Sequence, residues 1–310
     1  MSQIESARAI KSGALVAFPT ETVYGLGADA SNERAVARIY EVKGRPHDHP
    51  LILHIASINE MTYWAKDVNE FAVALAKTFW PGPMTLIVKR SENAKDFVTG
   101  GQVTVGLRVP DHTLALDLLQ ECLEIGVHAI AAPSANRFGH VSPTTAAAVH
   151  EEIGTYLSAQ DLILDGGPAQ VGLESTIIDC TGDAPQILRP GAITQAMIEK
   201  CTGMHVSENK NSEIRVSGSL EKHYSPNAQV VLDFQATSGQ GFIAPADIET
   251  PPGAIRLAAP RTTDEFAQML YAALRDGDAQ GLTTIAVIQP SGDGLAIAIR
   301  DRLMRASKGR

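Results

Sequence analysis

The feature that most constrains the fold of this chain is an alternation of two patterns between residues 14 and 200. Apolar runs of strand length alternate with segments whose apolar residues recur at helical spacing, as is typical of an α/β domain. The strand-length runs are residues 14–18, 51–55, 86–89, 104–108, 130–133 and 176–179. The helical patterns are residues 32–42, 68–79, 114–124 and 144–153. The sequence therefore predicts one α/β domain over this region.

A polar stretch separates this region from a second unit. Residues 206–219 lack a periodic apolar face, which indicates an exposed linker. Beyond it, two further strands and two helices are predicted at residues 230–234, 284–288, 263–275 and 294–306. We therefore predict three parts: a first domain over residues 1–205, a linker over 206–228 that acts as a lid over the site of the first domain, and a smaller α/β domain over 229–310.

Composition limits the class of protein. Hydrophobic residues make up 44% of the chain and charged residues 20%, which is ordinary for a globular protein. The sequence shows neither the ~20 apolar residues of a membrane span nor a signal peptide, so we expect a cytoplasmic protein without membrane contact. The three cysteines are widely separated, which indicates reduced thiols rather than a disulfide framework or zinc cluster. A net charge of −9 favours a small-molecule ligand over nucleic acid.

The loop of residues 19–27 follows the first predicted strand and contains hydroxyls, a phenol and two glycines. Lys43 and Arg45 follow the next predicted helix, residues 32–42, which returns the chain, so these cations are expected near the same loop. The pattern suggests a polyanion bound beside a small polar ligand. The sequence has neither a GxxxxGK[ST] loop nor a GxGxxG turn, so a nucleotide would need other phosphate contacts, with Arg108 and Arg189 as further candidates. The alternative is that these cations are solvated surface residues.

Polar side chains also follow several other predicted strands. Residues 132–136 supply a hydroxyl and an amide, Ser142 precedes a predicted helix, and residues 174–176 and 188–191 flank further strands. Because these polar loops all adjoin predicted strands, they suggest one shared cleft. Turn and cap roles explain Ser134, Asn136 and Ser142 equally well. The histidines at positions 47, 49 and 54 lack the framework of a zinc site, so we predict no protein metal site.

This ordered series of motifs resembles the YrdC/Sua5 family of threonylcarbamoyl-AMP synthases. The motifs that carry the resemblance are residues 19–27, 43–46, 50–54, 132–136, 174–176, 188–191 and the linker motif 222–226. The resemblance implies a YrdC-like twisted open sheet with helices, followed by a smaller Rossmann-like α/β Sua5 domain. It also implies formation of L-threonylcarbamoyladenylate and pyrophosphate from L-threonine, bicarbonate or CO2, and ATP, with Mg2+ bound to ATP.

The resemblance also assigns roles to individual residues. Around L-threonine it implies Thr22, His54, Arg108, Ala132 and Ser175. Around ATP it implies Arg45, His49, Thr104, Ser134, Asn136, Ser142, Arg189 and Ser225. Lys43 and Arg45 are the implied catalytic cations. Two positions depart from the family pattern, because His49 stands where Asn is usual and residues 217–220 differ from the common linker sequence.

The implied product is passed to a tRNA threonylcarbamoyl-transferase complex for modification of adenosine 37 (t6A), and a contact with tRNA is implied as well. Two alternatives belong to other classes. One is an RNA-binding module that uses the same cationic cleft without catalysis, which would need a basic stripe. The other is a carbamoyltransferase similar to hydrogenase-maturation proteins, against which the lack of a Cys/His-rich accessory region counts.

Overall fold

The computed structural model describes residues 2–206, 214–218 and 223–309. Within these residues the helices are α1 Gln3–Lys11, α2 Glu33–Lys43, α3 Met61–Trp64, α4 Glu70–Phe79, α5 Asp96–Thr99, α6 Thr113–Glu124, α7 Ala146–Ile153, α8 Gln195–Thr202, α9 Thr263–Ala279 and α10 Leu295–Ser307. The strands are β1 Val16–Phe18, β2 Gly25–Asp29, β3 Ile52–His54, β4 Met84–Lys89, β5 Thr104–Arg108, β6 Ile130–Ala131, β7 Leu162–Ile163, β8 Thr176–Asp179, β9 Gln186–Arg189, β10 Gln229–Leu232, β11 Gly241–Ile243, β12 Ile255–Ala258 and β13 Thr284–Val287. Single 3-10 turns lie at Ile58–Glu60 and Gly154–Tyr156.

The described strands form two separate sheets. The first has nine strands in the order β7-β1-β2-β6-β3-β5-β4-β8-β9, and its pairings are both parallel and antiparallel. The second has four strands in the order β10-β13-β11-β12, all paired in parallel. A large mixed sheet followed by a small parallel α/β unit confirms the predicted fold class. No helix among the described residues has the length and apolar character needed to cross a membrane.

The last three residues of the predicted loop 19–27 belong to a strand. They begin β2, which pairs antiparallel with β1 so that Val16 lies opposite Gly27. A Cβ on Gly27 would come within 2.6 Å of Ile130 and 2.9 Å of Phe18. This glycine therefore serves close packing between strands rather than the approach of a ligand.

Helix α2 ends at Lys43, one residue beyond the predicted helical pattern, and Arg45 follows it. Asn32 caps its first turn by accepting a hydrogen bond from the Ala35 amide. Gly44 ends it in the left-handed conformation, with φ of 61°, which favours glycine because it has no Cβ. The chain therefore turns sharply between Lys43 and Arg45.

The two sheets share a buried contact. The core of the smaller unit, which includes Tyr271 and Leu303, also contains Val23, Val141 and Leu173 from the loops of the large sheet. The predicted linker, residues 206–228, lies in part outside the described residues, as do Ser219, Leu220 and Lys222 of its motifs. Its described segments 214–218 and 223–228 pass beside the same loops, since Tyr224 belongs to this core.

Candidate active site

A cleft lies where the loops of the large sheet meet the linker. Its lining residues are Thr20, Thr22, Val23, Tyr24, Gly25, Arg45, Ile52, His54, Arg108, Ala132, Pro133, Ser134, Glu174, Ser175, Arg189, Ser217, Gly218, His223 and Tyr224. The polar loops that follow or precede separate strands therefore face one shared space, as their common pattern suggested.

One end of the cleft is built around Arg108, the last residue of β5. Its Nη2 lies 2.8 Å from Thr22 Oγ1 and 2.7 Å from Glu21 Oε1. Both members of the Arg108–Glu21 ion pair are almost fully buried. His54 lines the same end, and burial together with the charge of Arg108 lowers its pKa to about 3, so the imidazole is neutral at pH 7. This end offers a guanidinium, a hydroxyl and a neutral imidazole to a small polar ligand.

A second part of the cleft wall is organised by Arg189, the last residue of β9. Its Nε and Nη2 donate to the carbonyl of Ser175 at 3.1 and 2.9 Å, and its Nη1 donates to the Ser217 carbonyl at 2.8 Å. The Ser175 hydroxyl lies 2.8 Å from Thr85 Oγ1. The guanidinium thus links the strand loops to the linker, and burial lowers its pKa.

Arg45 completes a set of three buried guanidinium groups. Its Nη2 donates to the Pro50 carbonyl at 3.0 Å and to Ser217 Oγ at 3.2 Å. Burial lowers the pKa of Arg45 to about 10, so the group stays charged at neutral pH. Cations held in a site of low dielectric attract anions more strongly than the same charges do in water.

Lys43, predicted as a catalytic cation, lies outside the cleft lining. Its Nζ donates to the carbonyls of Ser134, at 2.6 Å, and of Asn136. Burial, followed by the nearby charge of Arg45, lowers its pKa well below the usual value for lysine. In this structure Lys43 therefore fixes the backbone that carries Ser134, and its predicted role at the phosphates stays a prediction.

Several other predicted residues lie around the cleft rather than on its surface. The Asn136 amide donates to the carbonyls of Arg137 and His140, and the Ser142 hydroxyl donates to Glu174. The His49 ring packs edge-on against Phe138 at 5.4 Å, and Ser225 Oγ donates to the Gly309 carbonyl. Thr104 lines a smaller neighbouring pocket together with linker residues 215–217. By contrast Thr22, Arg45, His54, Arg108, Ala132, Ser134, Ser175 and Arg189 all line the main cleft.

The comparisons with known proteins decide the family. The profile of the Sua5/YciO/YrdC family, described as "Telomere recombination", matches residues 8–191. A second profile, described as "Threonylcarbamoyl-AMP synthase, C-terminal domain", matches residues 193–308. This chain belongs to the Sua5/YrdC family.

Individual Sua5/YrdC relatives match along nearly the whole chain. A protein of Pyrococcus abyssi named threonylcarbamoyl-AMP synthase is 40% identical, over 96% of this chain and 92% of the relative. A Bacillus subtilis protein of the same name is 38% identical, over 99% and 93%. The crystal structure of P. abyssi Sua5 complexed with L-threonine matches with a TM-score of 0.88 at 38% identity, over 99% of this chain and 94% of that chain. These findings confirm the resemblance and the fold, and they show that the chain's relatives are enzymes.

Sequence reasoning for this Sua5/YrdC member assigned no binding or catalytic role to several residues that line the cleft. Glu174 is among them, although it lies in the quoted motif 174–176. Burial raises the pKa of Glu174, but the charges of Arg302 and Arg189 outweigh that effect and lower it to about 2. His223 and Tyr224, from the linker motif, also line the cleft. Burial lowers the pKa of His223 to about 3. In the sequence, only the linker motif at residues 222–226 pointed to His223 and Tyr224.

Proposed function

We propose that this protein forms L-threonylcarbamoyladenylate and pyrophosphate from L-threonine, bicarbonate or CO2, and ATP. The reaction is a nucleotidyl transfer. The observation that carries the proposal is the convergence of three buried guanidinium groups, Arg45, Arg108 and Arg189, on one cleft. Support comes from relatives that are named threonylcarbamoyl-AMP synthase and match nearly the full chain.

L-Threonine is proposed to bind at the Arg108 end. A guanidinium can pair with the amino-acid carboxylate through two parallel hydrogen bonds. Thr22 and His54 offer a hydroxyl and a neutral ring nitrogen beside it. The solved complex of P. abyssi Sua5 with L-threonine supports this choice of ligand. Ala132 and Ser175 line the same cleft and are proposed to complete the threonine site.

ATP is proposed to bind along Arg45 and Arg189, where two fixed cations face a triphosphate. Both guanidinium groups contact Ser217 of the linker, one through its hydroxyl and the other through its carbonyl. Ser134 also lines the cleft and is proposed to contact ATP. His49, Thr104, Asn136, Ser142 and Ser225 stay predicted ATP residues, because they lie outside the main lining.

The chemistry needs no protein nucleophile. The threonine amine adds to CO2 and releases a proton, which gives a carbamate. A carbamate oxygen then attacks the α-phosphorus of ATP in line, the bond to the β-phosphate oxygen breaks, and pyrophosphate leaves. Arg45 and Arg189 stabilise the negative charge that grows on the phosphates, since preorganised donors act most strongly where charge develops.

Mg2+ is proposed to arrive as the ATP complex. Across the described ranges, no three His, Cys, Asp or Glu side chains are grouped so that they could hold a metal ion. Magnesium commonly keeps several water ligands and binds substrate phosphates, which suits a cleft lined by cations. The handover of the product to a tRNA threonylcarbamoyl-transferase complex, the contact with tRNA and the cytoplasmic location stay predictions.

The test is ATP-dependent pyrophosphate release by the purified protein with bicarbonate and Mg2+. We expect release with L-threonine, much less with L-serine, and none without an amino acid, with threonylcarbamoyl-AMP detected by mass spectrometry. Release that does not depend on threonine would contradict the proposed substrate. Salt-sensitive RNA binding without any release would instead favour the RNA-binding alternative.

A further inference from the structure

Two side chains of the C-terminal unit reach the cleft through Glu174. Arg302 of α10 donates from Nε to Glu174 Oε2 at 2.9 Å, and Tyr271 of α9 donates its hydroxyl to the same oxygen at 2.9 Å. Ser142 donates to the other carboxylate oxygen at 2.6 Å. Arg302 is 1% exposed and Tyr271 is fully buried. A residue of the cleft wall is therefore held by a domain from the far end of the chain.

Arg302 also binds the turn that follows Arg189. Its Nη2 donates to the Pro190 carbonyl at 3.0 Å. That turn packs tightly on the Glu174 loop, because a Cβ on Gly191 would lie 2.4 Å from the Thr176 amide nitrogen. One guanidinium thus joins the two loops that carry Ser175 and Arg189.

The charges in this network are balanced by Arg302. Glu174 and Arg189 both line the cleft, so an uncompensated Glu174 carboxylate would compete for the Arg189 guanidinium and repel a bound triphosphate. The Arg302 guanidinium, which also lies 5.3 Å from the centre of the Tyr224 ring, supplies the opposite charge from behind the wall. The remaining Arg302 contact is with Asp301, its neighbour on α10.

We propose that Arg302 is a positioning residue for the reaction, which neutralises Glu174 and holds the 189–191 turn so that Arg189 stays available to the phosphates of ATP. The inference rests on the proposed function, and it adds a role in ATP use to a residue of the C-terminal domain. The inference also predicts a larger effect on ATP binding than on threonine binding. A carboxylate exposed to the cleft acts on the strongly anionic ATP far more than on threonine, whose net charge is zero.

The experiment compares four forms of the full chain: wild type, R302Q, the double variant E174Q/R302Q, and R300Q. Arg300 lies on the same helix and donates to the Pro290 carbonyl, so R300Q is a matched control away from the cleft. Threonine-dependent pyrophosphate release gives KM for each substrate and kcat, and calorimetry gives the Kd for ATP. We expect R302Q to raise the KM and Kd for ATP about tenfold or more, about 1.4 kcal/mol per tenfold, while the threonine KM changes less than about threefold.

The double variant distinguishes positioning from a merely structural role. Gln at position 174 removes the uncompensated charge, so E174Q/R302Q is expected to recover most of the ATP affinity. Equal losses for both substrates without recovery, or values for R302Q equal to those of R300Q, would overturn the inference. If R302Q does not fold, the same measurements are made on R302K. It keeps the charge and loses the forked contact, so we expect a smaller rise in ATP KM, and an unchanged value would count against the inference.

The wild-type protein separates this inference from the proposed function. An active wild type with an R302Q variant that behaves like R300Q leaves the proposed function intact and refutes only the role of Arg302. A wild type that neither binds ATP nor releases pyrophosphate with threonine refutes both.

Discussion

The buried ion pair between Arg108 and Glu21 allows the structural and the binding role of one residue to be separated. In R108Q the Glu21 carboxylate loses its partner, and both side chains are at most 5% exposed. Breaking a buried ion pair by removing one member costs about 3–5 kcal/mol of stability. For a domain of about 200 residues, 1 kcal/mol shifts Tm by about 2–4 °C, so R108Q is expected to lower Tm by roughly 6–20 °C.

The same substitution removes the group proposed to bind the threonine carboxylate. A hydrogen bond to a charged group contributes about 1.5–3 kcal/mol, which corresponds to roughly a 10- to 150-fold increase in the KM for L-threonine. The double variant E21Q/R108Q removes the unpaired charge as well. It should therefore regain most of the lost Tm, while the threonine KM stays high.

Two assays check this prediction: thermal unfolding, and pyrophosphate release as a function of threonine concentration. R34Q, on the exposed face of α2, is the control and should match the wild type in both. If E21Q/R108Q regained threonine affinity together with stability, Arg108 would act only through folding. The assignment of the threonine carboxylate to this end of the cleft would then be wrong.

Three further predictions follow from the site. R45A should lower turnover by about 10²–10³, the range for removing a preorganised charge contact, and near-normal pyrophosphate release would contradict its role. Removal of Mg2+ with EDTA should abolish release and excess Mg2+ should restore it; full activity without divalent cations would refute the ATP complex as substrate. Burial lowers the pKa of His54 from 6.5 to about 3, so the unfolded chain takes up a proton first as pH falls. Stability should decline from about pH 6.5 toward pH 3 by up to roughly 5 kcal/mol. Urea unfolding of H54Q should show a flatter pH dependence than wild type or H150Q, and an unchanged slope would refute it.

Elements with a strong periodic signal were predictable to within a few residues. The strand at residues 104–108 and the helix at 114–124 correspond to β5 and α6. Strand β2 was not foreseen, because glycines at positions 25 and 27 are typical of loops, and only packing against Phe18 and Ile130 shows why a strand needs them. Strand β6 lies within the predicted run at residues 130–133, whereas β7 was not predicted, because its two residues are too few to show an alternating pattern.

The site was predictable where motif residues point into the cleft, and not where they support it from outside. Arg45, Arg108 and Arg189 lie on its surface as expected. The Lys43 ammonium, from the same motif as Arg45, instead binds two backbone carbonyls. Sequence shows that a cation ends a helix, but the direction of its side chain depends on the backbone turn at Gly44 and on carbonyls about 90 residues away.

The burial of Arg302 could be predicted from the sequence, but its partner could not. On α10 it shares the apolar face formed by Ala298, Ile299, Leu303 and Ala306, so helical periodicity alone places a guanidinium in the core. A buried cation requires a buried partner, because desolvating an unpaired charge costs several kcal/mol. No spacing rule identifies that partner, since Glu174 lies 128 residues earlier in another domain. Arg302 needs Glu174 as its buried partner, and Glu174 needs Arg302 to balance its charge. A chain cut before the C-terminal domain would leave Glu174 without Arg302 and Tyr271, and thus with an uncompensated charge on the wall of the proposed ATP site.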